Sequence, residues 1–218
     1  MEKPFLSVIS SRLWDDFISA LKSVTLVGDP TLLPYINSRI SSRIVRVSDI
    51  KPISLYILRS KLQIQNKLYH KLLQNFQIDI FNLDGGFPEI TFRLTGQKGI
   101  WRMAPPIVEI SAADNNQPVL LDGEHRFYLA QQLNKPVRVI WIENVNPNYP
   151  VVSLPGDWSQ IRQYSQIPPR SRKRRFRYQS LADVPDISKF SDVVLTHKNF
   201  QYFFYRDLNP ICTSGIRE

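Results

Sequence analysis

A single cysteine, Cys212, stands among the 218 residues, so neither an internal disulfide nor a thiolate metal cluster can form. Histidine is almost as scarce: His70, His125 and His197 are far apart and suggest no metal cluster. No uncharged apolar run approaches the ~18 residues of a membrane span. The apolar patch at residues 5–9, after Lys3 and Pro4, is too short for the core of a signal peptide. The motifs G-x-x-x-x-G-K-[ST], G-x-G-x-x-G, H-E-x-x-H and G-x-S-x-G are all missing. These absences predict a soluble cytoplasmic protein without a structural metal. Hydrophobic residues make up 43%, enough for a folded core, so wholesale disorder is excluded.

Acid is absent where base is dense. Residues 158–182 hold Arg162, Arg170, Arg172, Lys173, Arg174, Arg175 and Arg177 with no Asp or Glu, which accounts for most of the formal charge of +9. Pro168 and Pro169 exclude one continuous helix there. A dense basic run favours phosphate-rich partners, and Trp158, Tyr164, Phe176 and Tyr178 could stack on bases. Arg170, Arg172, Lys173, Arg174, Arg175 and Arg177 are therefore candidate nucleic-acid contacts. Solvation, or pairing with acids elsewhere in the fold, is the alternative.

Apolar spacing predicts a helix over 10–27, capped by Ser10 or Ser11, and a strand over 44–47. It predicts one long or two shorter helices over 53–76, and a hairpin of 78–81 with 90–94 around Asp84-Gly85-Gly86. Strands follow at 106–110, 119–121 and 137–142, with a helix from 122 to about 133 between the last two. Beyond about residue 146 the chain is Pro-rich, with short helices expected near 158–164 and 198–205.

The junction Asp122-Gly123-Glu124-His125-Arg126 carries the chemistry. A helix start right after a buried strand presents free N–H groups and a partial positive charge, which is an anion site. Asp122 is expected to cap the helix, and Gly123 to let a ligand approach the backbone. His125 and Arg126 are expected to donate to phosphate. Glu124 repels a phosphate unless it points away or holds a Mg²⁺ that bridges to it. An ordinary helix start is the bland alternative.

Pro106-Ile107-Val108, then Val119 through Arg126, Ala130 and the 137–142 strand together resemble the core of the ParB/sulfiredoxin superfamily. The segment Arg46-Val47-Ser48-Asp49-Ile50-Lys51-Pro52 is similar to that core's opening strand and turn. The resemblance covers residues 44–145, with an apparent insertion at 77–104. It implies an α/β (mixed α+β) fold: a small mixed sheet flanked by helices. Residues 1–43 would be a helical N-terminal extension and 146–218 a basic, Pro-rich C-terminal one.

The resemblance also implies a phosphate-binding loop. ParB proteins bind CTP with Mg²⁺ through a G-E-R-R box; Gly123, Glu124 and Arg126 match it, and His125 replaces the first Arg. Free-serine kinases of the superfamily carry D-G-H-H-R, matched by Asp122, Gly123, His125 and Arg126. Their base, a Glu after the opening strand, has no counterpart in residues 52–55, which leaves Glu89 or Asp49 as substitutes. The sulfiredoxin branch has a catalytic Cys where Glu124 stands, so sulfinic-acid reduction is not expected. No helix-turn-helix pattern follows in 146–218, and the likeness of residues 206–210 to a second ParB box is read as coincidence.

Three readings follow. The first is a nucleotide-binding protein that hydrolyses ATP or CTP or transfers its phosphoryl group. Gly123, Glu124, His125 and Arg126 would hold the phosphates, and Glu124 or Asp122 would serve as catalytic group. Glu124 would also be the Mg²⁺ ligand. The second is a nucleic-acid-binding or nuclease-like protein using residues 158–182. The third is a non-catalytic interaction protein.

Overall fold

Strands that are apolar on both faces need cover on both sides. In the computed structural model of this chain, which describes residues 6–83, 89–94, 101–180, 183–184 and 200–211, helices provide that cover. The strands are β1 (Leu6–Arg12), β2 (Arg39–Val45), β3 (Lys51–Pro52), β4 (Tyr56–Leu58), β5 (Glu89–Leu94), β6 (Trp101–Met103), β7 (Ile107–Ser111), β8 (Gln117–Asp122), β9 (Val137–Glu143) and β10 (Arg162–Tyr164). The helices are α1 (Trp14–Lys22), α2 (Arg59–Phe76), α3 (Glu124–Gln132) and the short α4 (Arg170–Lys173).

The central sheet has five strands in the order β2-β9-β7-β8-β3. It is mixed: β9 and β7 run parallel, as do β8 and β3, while β2–β9 and β7–β8 are antiparallel. Successive side chains of a strand face opposite ways. Val137 and Val139 accordingly join a core with Leu68 and Leu72 of α2 and Phe127 and Ala130 of α3. Ile140 and Ile142 join a second core with Phe17 and Leu21 of α1. The expected α/β class, a small mixed sheet flanked by helices, is what the chain forms. A separate antiparallel sheet, β1-β5-β6, stands beside it, and β4 pairs in parallel with β10. No helix among the described residues is long and apolar enough to cross a membrane.

Several elements differ from expectation. Ser10 and Ser11 cap no helix; they lie in β1, opposite Thr91 and Ile90 of β5. A ladder of strand pairing outweighs a single capping bond, and α1 starts after Leu13 with no side-chain cap. The strand expected over 44–47 ends at Val45, and Val47–Asp49 is a 3₁₀ turn. Residues 53–58 are not helical, because β4 is drawn out between β10 and α3. Residues 78–81 are no strand: Gln77 in the left-handed region closes α2, and Asp79 Oδ1 accepts the Phe81 N–H at 2.9 Å. β5 pairs with β1 and β6 instead. The 158–164 segment is a 3₁₀ turn, Trp158–Gln160, followed by β10 rather than a helix. Residues 84–86, His197 and Cys212 lie outside the described residues, as do 198–199; Phe200–Tyr202 is a 3₁₀ turn.

After β9 the chain crosses back as a strap. Trp158 fixes it: its Nε1–H is shared between the carbonyls of Val47 (3.0 Å) and Ile50 (2.8 Å), and its ring stacks on Phe127 with centroids 5.8 Å apart. Main-chain bonds from Leu55 N–H to Lys173 O and from Leu154 N–H to Arg175 O, both 2.8 Å, bring residues 173–175 back against the core.

Candidate phosphate-binding corner

The corner forms where β8 meets α3. Gly123 adopts φ 99°, a left-handed conformation that L side chains rarely take, and it is the N-cap of α3. A Cβ there would lie 2.6 Å from Pro106 Cβ, so only glycine allows the close approach. Asp122 is therefore not the cap. It is the last residue of β8, opposite Ile107, and its Oδ2 is buried without a hydrogen-bond partner. No side chain caps α3.

Arg126 lies in the first turn of α3, where a solvated side chain would be ordinary. Instead it is 1% exposed and is among the largest fully buried side chains of the described residues. Its Nε, Nη1 and Nη2 have no hydrogen-bond partner. Burial pulls its pKa down to about 10, opposed by the nearby Asp122 carboxylate, so it stays protonated at neutral pH. An unpaired buried cation costs several kcal/mol, by general estimate about 3 or more. Asp122 is close enough to act on it yet does not bond it.

Glu124 and His125 are both partly buried, with opposite effects. Burial first, and the Asp122 charge second, push the Glu124 carboxyl up to about 7. Its own backbone N–H, Arg174 and Lys61 pull the other way. Burial, helped by Lys61, lowers the His125 ring to about 4, so it is neutral at physiological pH. Leu58 N–H donates to His125 Nε2 at 3.0 Å, which places the ring proton on Nδ1. His125 can thus donate one hydrogen bond from Nδ1 and adds no charge.

Asp122, Gly123, Glu124, His125 and Arg126 are thus together in one corner. The basic stretch is not a free cationic run. Arg177 pairs with Asp114 and donates to Val151 O at 2.8 Å. Arg170 sits 4.9 Å from the Phe176 ring centre and 4.7 Å from that of Tyr202, and it donates to Gln201. Arg175 donates to the Pro155 carbonyl. Arg174 lies over Tyr205, at 5.2 Å. Arg172 is exposed and Lys173 half-buried. Glu89 lies in the other sheet, 3.5 Å from Arg12, and exposed Asp49 accepts from Ser48. Neither is among the groups acting on Glu124, His125 or Arg126.

Two features were invisible in the sequence. Lys61, from the first turn of α2, acts on both Glu124 and His125. Arg206 forms a buried bidentate pair with Glu109 (2.8 and 3.1 Å), and Tyr35 O–H donates to the same carboxylate at 2.8 Å. Arg206 also donates to the carbonyls of Tyr149, Pro150 and Phe204. Arg206 therefore ties the C-terminal segment to β7.

Neither a curated protein nor a solved structure matches the chain. The ParB CE domain family matches over residues 16–162, which takes in most of α1, the five-stranded sheet, the Gly123 corner and the first residue of β10. That span is about two thirds of the sequence and contains the strand-turn-helix unit on which the resemblance to ParB rested. The chain belongs to the ParB CE domain family.

Proposed function

We propose that this domain binds a nucleoside triphosphate, ATP or CTP, as its Mg²⁺ complex at the Asp122–Arg126 corner, and hydrolyses it or transfers its phosphoryl group. The observation that carries the reading is the Arg126 guanidinium, buried and without a single partner. Such a group is stabilised by an anion, and a phosphate offers acceptors matched to its donors. The Glu124 N–H is taken by its own carboxylate, and the backbone N–H groups of His125 and Arg126 in the first turn of α3, with the Nδ1–H of His125, add donors.

The metal fits the acids present. Asp122 Oδ2 is buried without a hydrogen-bond partner, and burial first and the Asp122 charge second push the Glu124 carboxyl up to about 7. Two carboxylates plus ligand phosphates suit Mg²⁺, whereas no group of three or more metal-ligating side chains exists among the described residues. Mg²⁺ would be held by Asp122 and Glu124 and would neutralise phosphate charge. Arg126 orients the phosphate chain. Where Asp122 alone holds the metal, Glu124 is the group that would accept a proton from the attacking water or hydroxyl, as expected of a base with a pKa near the working pH. Calorimetric titration of the full chain with ATP and with CTP, each with and without Mg²⁺, tests this. Saturable Mg²⁺-dependent binding is expected, and absence of binding to every nucleotide overturns it.

A second reading, contact with nucleic acid, is favoured by α2. That helix has no acidic residue and exposes Arg59, Lys67 and Lys71. If these three meet duplex phosphates, the log–log salt slope of binding is about −3. A flat salt response, or unchanged binding after all three are changed to Gln, rejects it.

A further inference from the structure

The charges around Glu124 do not all come from the part of the chain that matches the family. We propose that the strap completes the corner by contributing Arg174 as a second phosphate-binding guanidinium, so that the site selects polyphosphates over monophosphates and over simple carboxylates. This rests on the nucleotide reading above and extends it to which phosphates are read, and by what.

Four observations converge. Residue 174 is clamped on both sides, by Leu55 N–H on Lys173 O and by Leu154 N–H on Arg175 O, each at 2.8 Å. Leu55 lies three residues before Leu58, whose N–H is bound by His125, so the clamp fixes this stretch of the strap beside the corner. The strap touches α3 again where Gln163 donates to the Tyr128 hydroxyl at 3.0 Å. Finally, Arg174 Nη1 is buried and has no hydrogen-bond partner, while its guanidinium rests 5.2 Å from the Tyr205 ring centre.

Arg170, Arg175 and Arg177 each donate to a side chain or carbonyl of the protein itself. Arg174 retains a donor in a place water does not reach, the same condition as Arg126. The buried Arg126 guanidinium lies near Asp122, and half-buried Arg174, with one enclosed donor to spare, acts with Lys61 on the adjacent Glu124. A ligand carrying negative charge on several neighbouring phosphates offers more acceptors and more charge to both guanidinium groups than a single phosphate or carboxylate does. Because Arg174 lies beyond residue 162, where the family match ends, this part of the site belongs to the C-terminal extension of this chain.

The test uses the full chain with Arg174→Gln, Arg174→Lys and Lys61→Gln, titrated with ATP, ADP and AMP in the presence of Mg²⁺. Wild type is expected to bind in the order tri- over di- over monophosphate. Arg174→Gln should weaken triphosphate binding by roughly 10- to 100-fold, the weight of one charge-assisted hydrogen bond, and leave AMP nearly unchanged. Arg174→Lys, which keeps the charge and the fold, should fall between, and Lys61→Gln should lose a smaller factor. If wild type binds but the triphosphate-to-monophosphate ratio survives both Arg174 variants, Arg174 is not in the site, whereas the corner itself stands. If wild type binds none of the three, both this inference and the nucleotide reading fall.

Discussion

Replacing Glu124 by Gln should change how the fold responds to pH, and the direction can be worked out. The folded carboxyl titrates at about 7 rather than 4.5, mainly through burial and then through Asp122. Between those values the folded chain keeps a proton that the unfolded chain has released, so this group makes stability fall as pH rises, by up to about 1.4 kcal/mol per unit. His125 runs the other way. Its ring is lowered from 6.5 to about 4 by burial and Lys61, so the unfolded chain binds a proton that the folded ring refuses. That group makes stability rise with pH through the same region. The full shift of either group corresponds to about 3 kcal/mol, and their partial exposure reduces this to about 2 kcal/mol. In wild type the two opposing slopes largely cancel where they overlap. Urea unfolding midpoints, followed across this range at constant m, separate them. Relative to wild type, Glu124→Gln should gain about 2 kcal/mol between pH 4.5 and 7, and His125→Asn should lose a similar amount between pH 4 and 6.5. Variant-minus-wild-type differences that stay within about 0.5 kcal/mol over those windows would refute the burial argument for both side chains.

Gly123→Ala forces a side chain into a left-handed backbone and within 2.6 Å of Pro106 Cβ; it should cost about 2–3 kcal/mol by chemical unfolding. Glu109→Gln breaks the buried pair with Arg206 and should cost about 3–5 kcal/mol, against about 1 kcal/mol for Tyr35→Phe, by urea melts of both variants. Trp158→Phe keeps an aromatic ring to stack on Phe127 but removes the N–H shared by the Val47 and Ile50 carbonyls. It should cost about 1–3 kcal/mol and raise amide exchange in residues 47–50.

What could be read from sequence was local. The corner was legible because one short stretch holds everything needed: a short apolar strand at 119–121, a glycine for the turn, and a helix start at 124–126. Glycine itself took the cap position expected of Asp122, since its left-handed φ already turns the chain. The start of α1 was misread for the opposite reason: Ser10 and Ser11 look like caps locally, and only β5, some eighty residues away, makes them strand. Residues 78–81 have strand composition, but Ile78 N–H returns to Leu72 O and the Phe81 N–H is taken by Asp79 Oδ1, so they turn off the end of α2 and meet β9 only where Phe81 O accepts from Arg138 N–H. The arginines of 170–177 read as candidate nucleic-acid contacts because the protein groups that Arg170, Arg174 and Arg177 meet, Gln201, Tyr202, Tyr205 and Asp114, are distant in sequence. Nothing in the spacing of Arg126 announces its burial; a cation in a first helical turn is ordinarily at the surface, and only the packed core shows it enclosed.

That enclosure supplies the most direct measurement. Arg126→Met replaces an unpartnered buried cation by a flexible apolar chain of similar length, so in a ligand-binding role the arginine is a cost to the empty fold. Equilibrium unfolding of wild type and Arg126→Met, with and without Mg²⁺-nucleotide, should show the variant unchanged or up to about 3 kcal/mol more stable without ligand. Nucleotide should stabilise wild type alone. A variant that is strongly destabilised without ligand, or one that nucleotide stabilises as much as wild type, would contradict the claim that Arg126 is kept for an anion.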